Sequence, residues 1–324
     1  MKFYQFSKDI KSGFLDFCSD IERFNATVCF DFEDSISTSD NSDSEKETHR
    51  DLLIQALRDL SPKVSFAEFG FRINPVSSSI YGSDMATLNS INRLEVLFVP
   101  KIEYPAELEC ILNDLKSEVN QLIPIIETKK GLENLSSILA VKDHRIRNIA
   151  FGHCDMNLSM GIFPFFHQDS VEYWEWIDYL NGQCAAFNIG LINSPVLELK
   201  NDHLLKDTLY RGMEYTSIRG QITLCKQQTL LGATLNGTNK LNKAHFGSNI
   251  TKQLVTNNEA HLSSDNKLLC INKAADRILH NYIAIELIEL YERYKLTGKS
   301  FAVLPGGRLI SPQEYCAAVK LMSL

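Results

Sequence analysis

Eight short β-rich runs, each followed by a stretch with helical periodicity, constrain the fold of this chain more than any other feature. They cover residues 2–6, 27–32, 66–73, 94–100, 121–127, 148–152, 186–192 and 221–225. Alternation of strand and helix favours parallel pairing, because a parallel neighbour needs a crossover connection that a helix supplies. Eight such units predict an α/β fold, the (β/α)8 TIM barrel, and 324 residues are enough to build it.

Polar residues follow seven of the eight predicted strands, at the end where barrels of this kind carry their chemistry. They are Asp31, Glu33 and Asp34, then Arg72 and Asn74, then Lys101, Glu127, Asp155 and Asn193, and finally Gln227 and Gln228. We therefore expect one functional site at the C-terminal ends of the strands.

The chain divides into three parts. Residues 1–235 form the predicted barrel core, and residues 236–268 are polar and rich in Asn, which is typical of an insertion or lid at the catalytic end or of a surface excursion. Residues 269–324 are predicted to be a C-terminal helical extension that closes the barrel, with a turn through Pro305 and Gly307 before the last helix.

The composition limits the possible partners. A net charge of −7 gives no general attraction for nucleic acid or an anionic membrane, and no segment approaches the ~20 apolar residues of a membrane helix. The eight cysteines show no CxxC or other zinc spacing, so we interpret them as reduced thiols. We expect a cytoplasmic protein that acts on a small-molecule carboxylate, without nucleic acid or membrane partners.

Glu127 and Asp155 end two successive predicted strands and are candidate metal ligands. Two neighbouring carboxylates repel each other unless they are protonated or bridged by a cation. Oxygen ligands without a His or Cys cluster favour Mg²⁺, which takes one or two carboxylates and completes its coordination with water and substrate. The alternative for each carboxylate is to cap the following helix or to pair with a surface lysine.

Arg72, Asn74 and Lys101 are candidate substrate-binding residues. The Arg72 guanidinium can bind a substrate carboxylate or stabilise an enolate oxygen, and it can also form a salt bridge with Glu33 or Asp34. Glu33 and Asp34 are candidate catalytic residues with Arg72. The sequence leaves open whether these acids act on the metal through water, serve as general base, or orient Arg72 and Lys101.

Other catalytic classes find little support. The chain has no GxGxxG after its first strand and no GxxxxGK[ST], GxSxG or HExxH, which removes most support for nucleotide-binding and hydrolase functions. His153 and Cys154 are adjacent, and side chains of adjacent residues usually point apart. We expect them to shape the loop before Asp155 rather than to act as nucleophile and base.

Five segments carry a family resemblance in the expected order: "CFDFEDSI", "FRIN", "FVPKIE", "IPIIETKKGLENL" and "IAFGHCDMNLSMG". Together they resemble the citrate lyase beta subunit family, which includes malyl-CoA and citramalyl-CoA lyases and is related to the metal-dependent 2-oxo acid aldolases. The resemblance implies that Glu127 and Asp155 bind Mg²⁺, that Arg72 contacts the substrate carboxylate, and that the protein is a homo-oligomer.

Two departures from the family pattern concern the substrate. The first strand, in "FYQFSKDIKSG", is not followed by the usual P-G-x-R-P loop, and the usual I-H-P-x-Q after the last strand has become "LCKQQ", with Cys225 in place of histidine. Both changes argue against a CoA thioester substrate.

The sequence therefore predicts a Mg²⁺-dependent carbon–carbon lyase or aldolase that acts on a 2-oxo or hydroxy carboxylic acid through a metal-stabilised enolate. The alternatives are an acyl-CoA thioesterase or malyl-CoA-type lyase that uses the same site, and a non-catalytic barrel that binds a carboxylate or a protein.

Overall fold

The computed structural model describes residues 1–10, 14–21, 24–33, 42–60, 65–242, 266–295, 302–304 and 306–323. Eight parallel strands close into a barrel in the order in which they occur in the chain, because β1 pairs with both β2 and β8. The predicted TIM barrel is thus confirmed. The strands are β1 (Lys2–Ser7), β2 (Ala26–Asp31), β3 (Gly70–Arg72), β4 (Arg93–Val99), β5 (Glu118–Ile126), β6 (Asn148–Phe151), β7 (Gly190–Asn193) and β8 (Ile218–Thr223).

Helices connect the strands and surround the barrel. Those between β1 and β8 are α1 (Phe14–Ile21), α2 (Ser42–Leu60), α3 (Tyr81–Asn89), α4 (Pro105–Asp114), α5 (Lys129–Glu133), α6 (Leu135–Leu139), α7 (His153–Met160), α8 (Val171–Phe187) and α9 (Asp202–Glu214). After β8 come α10 (Lys226–Asn242) and α11 (Asn266–Lys295). Among the described helices, none combines the length and apolar character needed to cross a membrane.

The core has two layers, as the strand pattern requires. Alternate strand residues such as Val96 and Phe98, or Ile123 and Ile125, pack in a cluster inside the barrel. The intervening residues, such as Leu97 and Leu122, pack in a second cluster with the surrounding helices. The strands are therefore buried on both faces and read as nearly continuous apolar runs.

Two strands are shorter than predicted, and local caps explain both differences. In the run 66–73, Ser65 accepts a hydrogen bond from the backbone of Ala67 and starts a 3₁₀ turn over Phe66–Glu68, so that β3 begins only at Gly70. In the run 186–192, α8 extends to Phe187 and ends at Asn188, which has a φ of 55° in the left-handed region.

The C-terminal segment folds as predicted into a hairpin and a last helix. Strands β9 (Ala302–Val303) and β10 (Leu309–Ile310) pair antiparallel, and α12 (Pro312–Met322) follows. Ser311 caps α12 by accepting a hydrogen bond from the Glu314 amide, and Pro312 occupies the first helical turn. Helix α12 packs against α11 and α7 and so reaches the C-terminal end of the barrel.

The predicted insertion at 236–268 is described only at its edges. Residues 236–242 belong to α10 and residues 266–268 to α11, whereas 243–265 lie outside the described residues. The three-part division of the chain stays a prediction.

Candidate functional site

Arg72 is held by two buried carboxylates at the C-terminal end of the barrel. It is paired in register with Asp31 of the neighbouring strand, and the two side chains form a bidentate ion pair with Nε–Oδ1 and Nη2–Oδ2 distances of 2.7 and 2.6 Å. Its Nη1 lies 2.9 Å from Glu33 Oε2, and the guanidinium lies 5.3 Å from the centre of the Phe6 ring. These contacts fix the orientation of Arg72 in advance of any ligand.

Glu127 follows β5 and is 2% exposed. Its Oε1 accepts a hydrogen bond of 2.9 Å from the backbone N–H of Lys101, a residue with a φ of 54°. The next residue, Thr128, caps α5, which explains why the chain leaves the strand here. Burial first, and then the charges of Asp155 and Glu33, raise the pKa of Glu127 well above its usual range.

Gly152 makes room for the Glu127 carboxylate. A Cβ atom at Gly152 would lie 2.2 Å from Glu127 Oε2, a distance that no real contact reaches. The carboxylate thus approaches the backbone at the start of α7 closely, and that start carries Asp155 in its first turn. A side chain larger than hydrogen at position 152 would force the Glu127 side chain to move.

Asp155 lies between a cation and an amide. Its Oδ1 is 3.5 Å from Lys101 Nζ, and its Oδ2 accepts a hydrogen bond of 2.8 Å from Gln313 Nε2, which is contributed by α12. Lys101 Nζ also donates to Glu33 Oε1 at 2.7 Å. Lys101 thus forms ion pairs with two acids at the ends of the strands.

The cluster carries an excess of negative charge. With every group counted as ionised, the four carboxylates and two cations give a formal net charge of −2. They are Asp31, Glu33, Glu127, Asp155, Arg72 and Lys101. Within the described ranges, no group of three or more His, Cys, Asp or Glu side chains is arranged to hold a metal. A site built from Glu127 and Asp155 thus suits Mg²⁺, which balances the charge and leaves coordination positions for water and substrate.

A chain of polar contacts links α7 to the C-terminal hairpin. The ring of His153 is buried, with Nδ1 2.6 Å from Ser194 Oγ and Nε2 3.1 Å from His167 Nδ1. His167 Nε2 lies 3.2 Å from the Arg308 guanidinium, which also donates to Glu314. Burial, together with the neighbouring His167, lowers the pKa of His153 well below its usual range. His153 thus ties the start of α7, whose first turn carries Asp155, to Ser194 and His167.

A cavity of about 400 Å³ opens at this end of the barrel. One side, the charged wall, is formed by Asp31, Arg72, Glu127 and Asp155. Another side, the apolar wall, is formed by Leu197, Leu199, Ile222, Leu224, Val303 and Leu309. The cavity is of the size of a small-molecule site and combines a charged end with an apolar end.

The other residues that the sequence suggested occupy different positions. Glu33 and Lys101 contact the charged wall without lining the cavity. Asn74 is buried away from it and ties the end of β3 to neighbouring helices, because its backbone and side-chain N–H groups donate to Asp84 and its Oδ1 accepts from Lys46. This contact set makes Asn74 a support of the strand end. Asp34 lies outside the described residues.

Two contributions to the site went unrecognised in the sequence. The bidentate ion pair between Asp31 and Arg72 could have been predicted, because strand alternation places Asp31 on the same face as Glu33, and both acids contact Arg72. No sequence pattern indicated the contact of Gln313 with Asp155, because the two residues are 158 positions apart and meet only through the docking of α12.

Residues 24–173 match the sequence model of the HpcH/HpaI aldolase/citrate lyase family. This range contains Arg72, Lys101, Glu127 and Asp155. No curated protein sequence gives a significant match.

Several solved structures share the fold. RipC from Yersinia pestis is 21% identical, with a TM-score of 0.56 over 72% of this chain and 94% of RipC. The citrate lyase beta subunit from Mycobacterium tuberculosis, complexed with oxaloacetate and magnesium, is 15% identical, with a TM-score of 0.55 over 72% of this chain and 95% of that one. CitE from the same organism, in complex with magnesium, acetoacetate and coenzyme A, is 12% identical, with a TM-score of 0.56 over 99% and 97% of the two chains. At these identities the likeness establishes the fold.

Proposed function

We propose that the chain is a divergent member of the HpcH/HpaI aldolase/citrate lyase family, whose model its residues 24–173 match, and that it is a Mg²⁺-dependent carbon–carbon lyase or aldolase. Its substrate is a 2-oxo or hydroxy carboxylic acid. The observation that carries the proposal is that the carboxylates of Glu127 and Asp155 both line the cavity, within a cluster whose formal net charge is −2. A barrel that served only as a scaffold would have no use for buried charges of this kind.

Glu127 and Asp155 are the residues that would hold the metal. When bound, Mg²⁺ supplies a Lewis acid that favours loss of a proton, or cleavage of a bond, next to a carbonyl group. The complex of the M. tuberculosis citrate lyase beta subunit with oxaloacetate and magnesium supports a 2-oxo acid as ligand, and we extend that ligand class to this chain.

Arg72 supplies positive charge for the substrate. Its guanidinium lines the cavity and is held by Asp31 and Glu33 in a fixed orientation, so that no reorganisation is needed as negative charge develops on the substrate oxygen. Lys101 completes the cationic side through its contacts with Glu33 and Asp155. Glu33 and Asp34 remain the candidates for proton transfer, and the ion pairs of Glu33 favour an orienting role for that residue.

A CoA thioester is disfavoured by the charges around the cavity. Among its described lining residues the cations are Lys8 and Arg72, and Arg72 is engaged by two carboxylates. The phosphate groups of CoA would need more positive charge than this. Thioesterase and malyl-CoA-type lyase activities are therefore less favoured than activity on a free acid. Assembly into a homo-oligomer and a cytoplasmic location stay predictions from the sequence.

Deuterium exchange into the methyl group of pyruvate tests the proposal, because exchange reports enolisation without requiring the second substrate. We expect proton NMR in D₂O to show exchange that depends on both protein and Mg²⁺. Replacement of either metal ligand, in Glu127→Gln or Asp155→Asn, is expected to slow it by at least about 100-fold.

Glu118→Gln is the matched control, since Glu118 begins the same strand that Glu127 follows and its side chain is 68% exposed. This variant is expected to exchange at the wild-type rate. Absence of exchange in the wild-type protein, or equal exchange in all four proteins, would contradict the proposed function and favour the non-catalytic barrel.

A further inference from the structure

We propose that the substrate carries an aliphatic chain and that the apolar wall of the cavity is the subsite that binds it. This inference rests on the proposed function, because it assigns the 2-oxo carboxylate end of the same substrate to the charged wall. It adds the substrate class, since neither the family match nor the ligands of the related structures specify an aliphatic chain.

The two walls come from different parts of the barrel. The charged wall lies at the C-terminal ends of β2, β3, β5 and β6, whereas the apolar wall comes from β8, from the segments after β7 and β8, and from the C-terminal hairpin. In a closed ring of eight strands, β7 and β8 lie across from β3 and β4, which carry Arg72 and lead into Lys101. A ligand anchored at Arg72 therefore faces leucine side chains across the opening of the barrel.

Backbone hydrogen bonds build the apolar wall before any ligand arrives. Leu199 donates its amide to the carbonyl of Gly307 at 2.9 Å, and Leu309 donates to the carbonyl of Leu197, also at 2.9 Å. The segment after β7 thus adds a further strand-like stretch to the hairpin, with Glu198 and Arg308 bridged antiparallel. Leu199, Leu224, Val303 and Leu309 are only half-buried, so that their side chains offer apolar surface to a ligand.

This half of the cavity offers no charge for an anionic group. The described lining residues that follow β7 and β8, or belong to the hairpin and the start of α12, are all uncharged. Lys8 and Asp9 lie on the β1 side and carry opposite charges next to each other in the chain. A second carboxylate or a phosphate here would lose its hydration without gaining a cationic partner, whereas a methylene chain would gain from burial.

Calorimetric binding of straight-chain 2-oxo acids in the presence of Mg²⁺ tests the inference. The series is pyruvate, 2-oxobutanoate, 2-oxopentanoate and 2-oxohexanoate. The comparison ligand is 2-oxoglutarate, which has five carbons and a second carboxylate. For the wild-type protein we expect affinity to rise about fourfold with each buried methylene. We also expect 2-oxopentanoate to bind more tightly than 2-oxoglutarate, which has the same number of carbons.

Leu199→Asn is expected to reduce the gain in affinity per methylene, because it replaces one of the six apolar side chains of this wall with a polar one. Leu224→Asn, at the end of β8, is a second variant with the same expected effect. Leu52→Asn is the matched control, because Leu52 is 67% exposed on α2 and does not line the cavity. It is expected to bind the whole series as the wild-type protein does.

The outcomes separate this inference from the function on which it rests. If pyruvate binds and exchanges deuterium but affinity is flat or falls with chain length, the aliphatic subsite is overturned and the proposed function stands. Tighter binding of 2-oxoglutarate than of 2-oxopentanoate overturns it as well. If no 2-oxo acid binds, both fail together.

Discussion

At the scale of single residues, the site concentrates buried charge that the fold balances only in part. Asp31 and Glu33 are matched by Arg72 and Lys101 at ion-pair distances, whereas Glu127 receives one backbone hydrogen bond and lies among other carboxylates. Burial of a charge without full compensation costs stability. The raised pKa of Glu127 shows that its ionised form is destabilised, and a bound divalent cation would remove this destabilisation.

Glu127→Gln is therefore expected to stabilise the metal-free protein at neutral pH. The folded-state pKa of Glu127 lies above the ordinary value of 4.5, so the wild-type stability contributed by this group is present below pH 4.5 and is lost as the pH rises through the raised pKa. Glutamine removes the charge and keeps an oxygen to accept the Lys101 amide. Thermal unfolding without Mg²⁺ should show a Tm higher by about 2–4 °C at pH 7, with the gain shrinking towards pH 4.5.

Added Mg²⁺ should reverse this order, because it raises the Tm of the wild-type protein and has no site in the variant. The control Glu118→Gln removes the same charge from the other end of the strand and should leave the Tm within about 1 °C of wild type at every pH. A Glu127→Gln protein that is less stable than wild type at pH 7 without Mg²⁺ would show that the carboxylate is already compensated.

At the scale of elements, sequence patterns predicted the features that arise from residues close together in the chain. The barrel and the grouping of Arg72, Glu127 and Asp155 followed from strand alternation and from polar strand ends, and the structure brings these three side chains to one cavity. Boundaries set by local caps, at Ser65 and Asn188, were missed because a single cap outweighs the apolar pattern around it. Contacts made through the docking of α12 could not be predicted, since no local pattern encodes which loop a distant helix will meet.

The docking of α12 brings the side chain of Gln313 to Asp155. Its amide donates to Asp155 Oδ2, and a residue that orients a metal ligand typically contributes about 10- to 100-fold to metal affinity. We expect Gln313→Leu to weaken Mg²⁺ binding, measured by calorimetry, by about tenfold while the protein stays folded.

Gln55→Leu serves as its control, because Gln55 donates to Asp59 on the exposed face of α2, outside the cavity lining. That substitution removes a comparable Gln–Asp hydrogen bond and should leave Mg²⁺ affinity unchanged. Equal affinities for Gln313→Leu and wild type would mean that α12 closes the cavity without orienting Asp155.

At the scale of the whole molecule, closure of the barrel brings the ends of separate strands to one opening. The net charge of −7 is spread over the chain, but the cluster at the opening has a formal net charge of −2 in a buried setting next to an apolar wall. A small anion would be repelled from such a site without a bound cation, so metal and substrate binding should be coupled. Coupling of this kind is reciprocal, since each ligand must tighten the other by the same factor.

Calorimetric titration of Mg²⁺ with and without pyruvate tests this account most directly, on the wild-type protein, Asp155→Asn and Asp207→Asn. Asp207 is a surface residue of α9 that is 60% exposed, and its variant removes the same charge away from the cavity. The account predicts that wild type and Asp207→Asn bind Mg²⁺, that pyruvate tightens this binding, and that Asp155→Asn loses at least about tenfold in affinity. Wild-type protein that binds neither Mg²⁺ nor pyruvate, or Asp155→Asn that binds both like wild type, would contradict it.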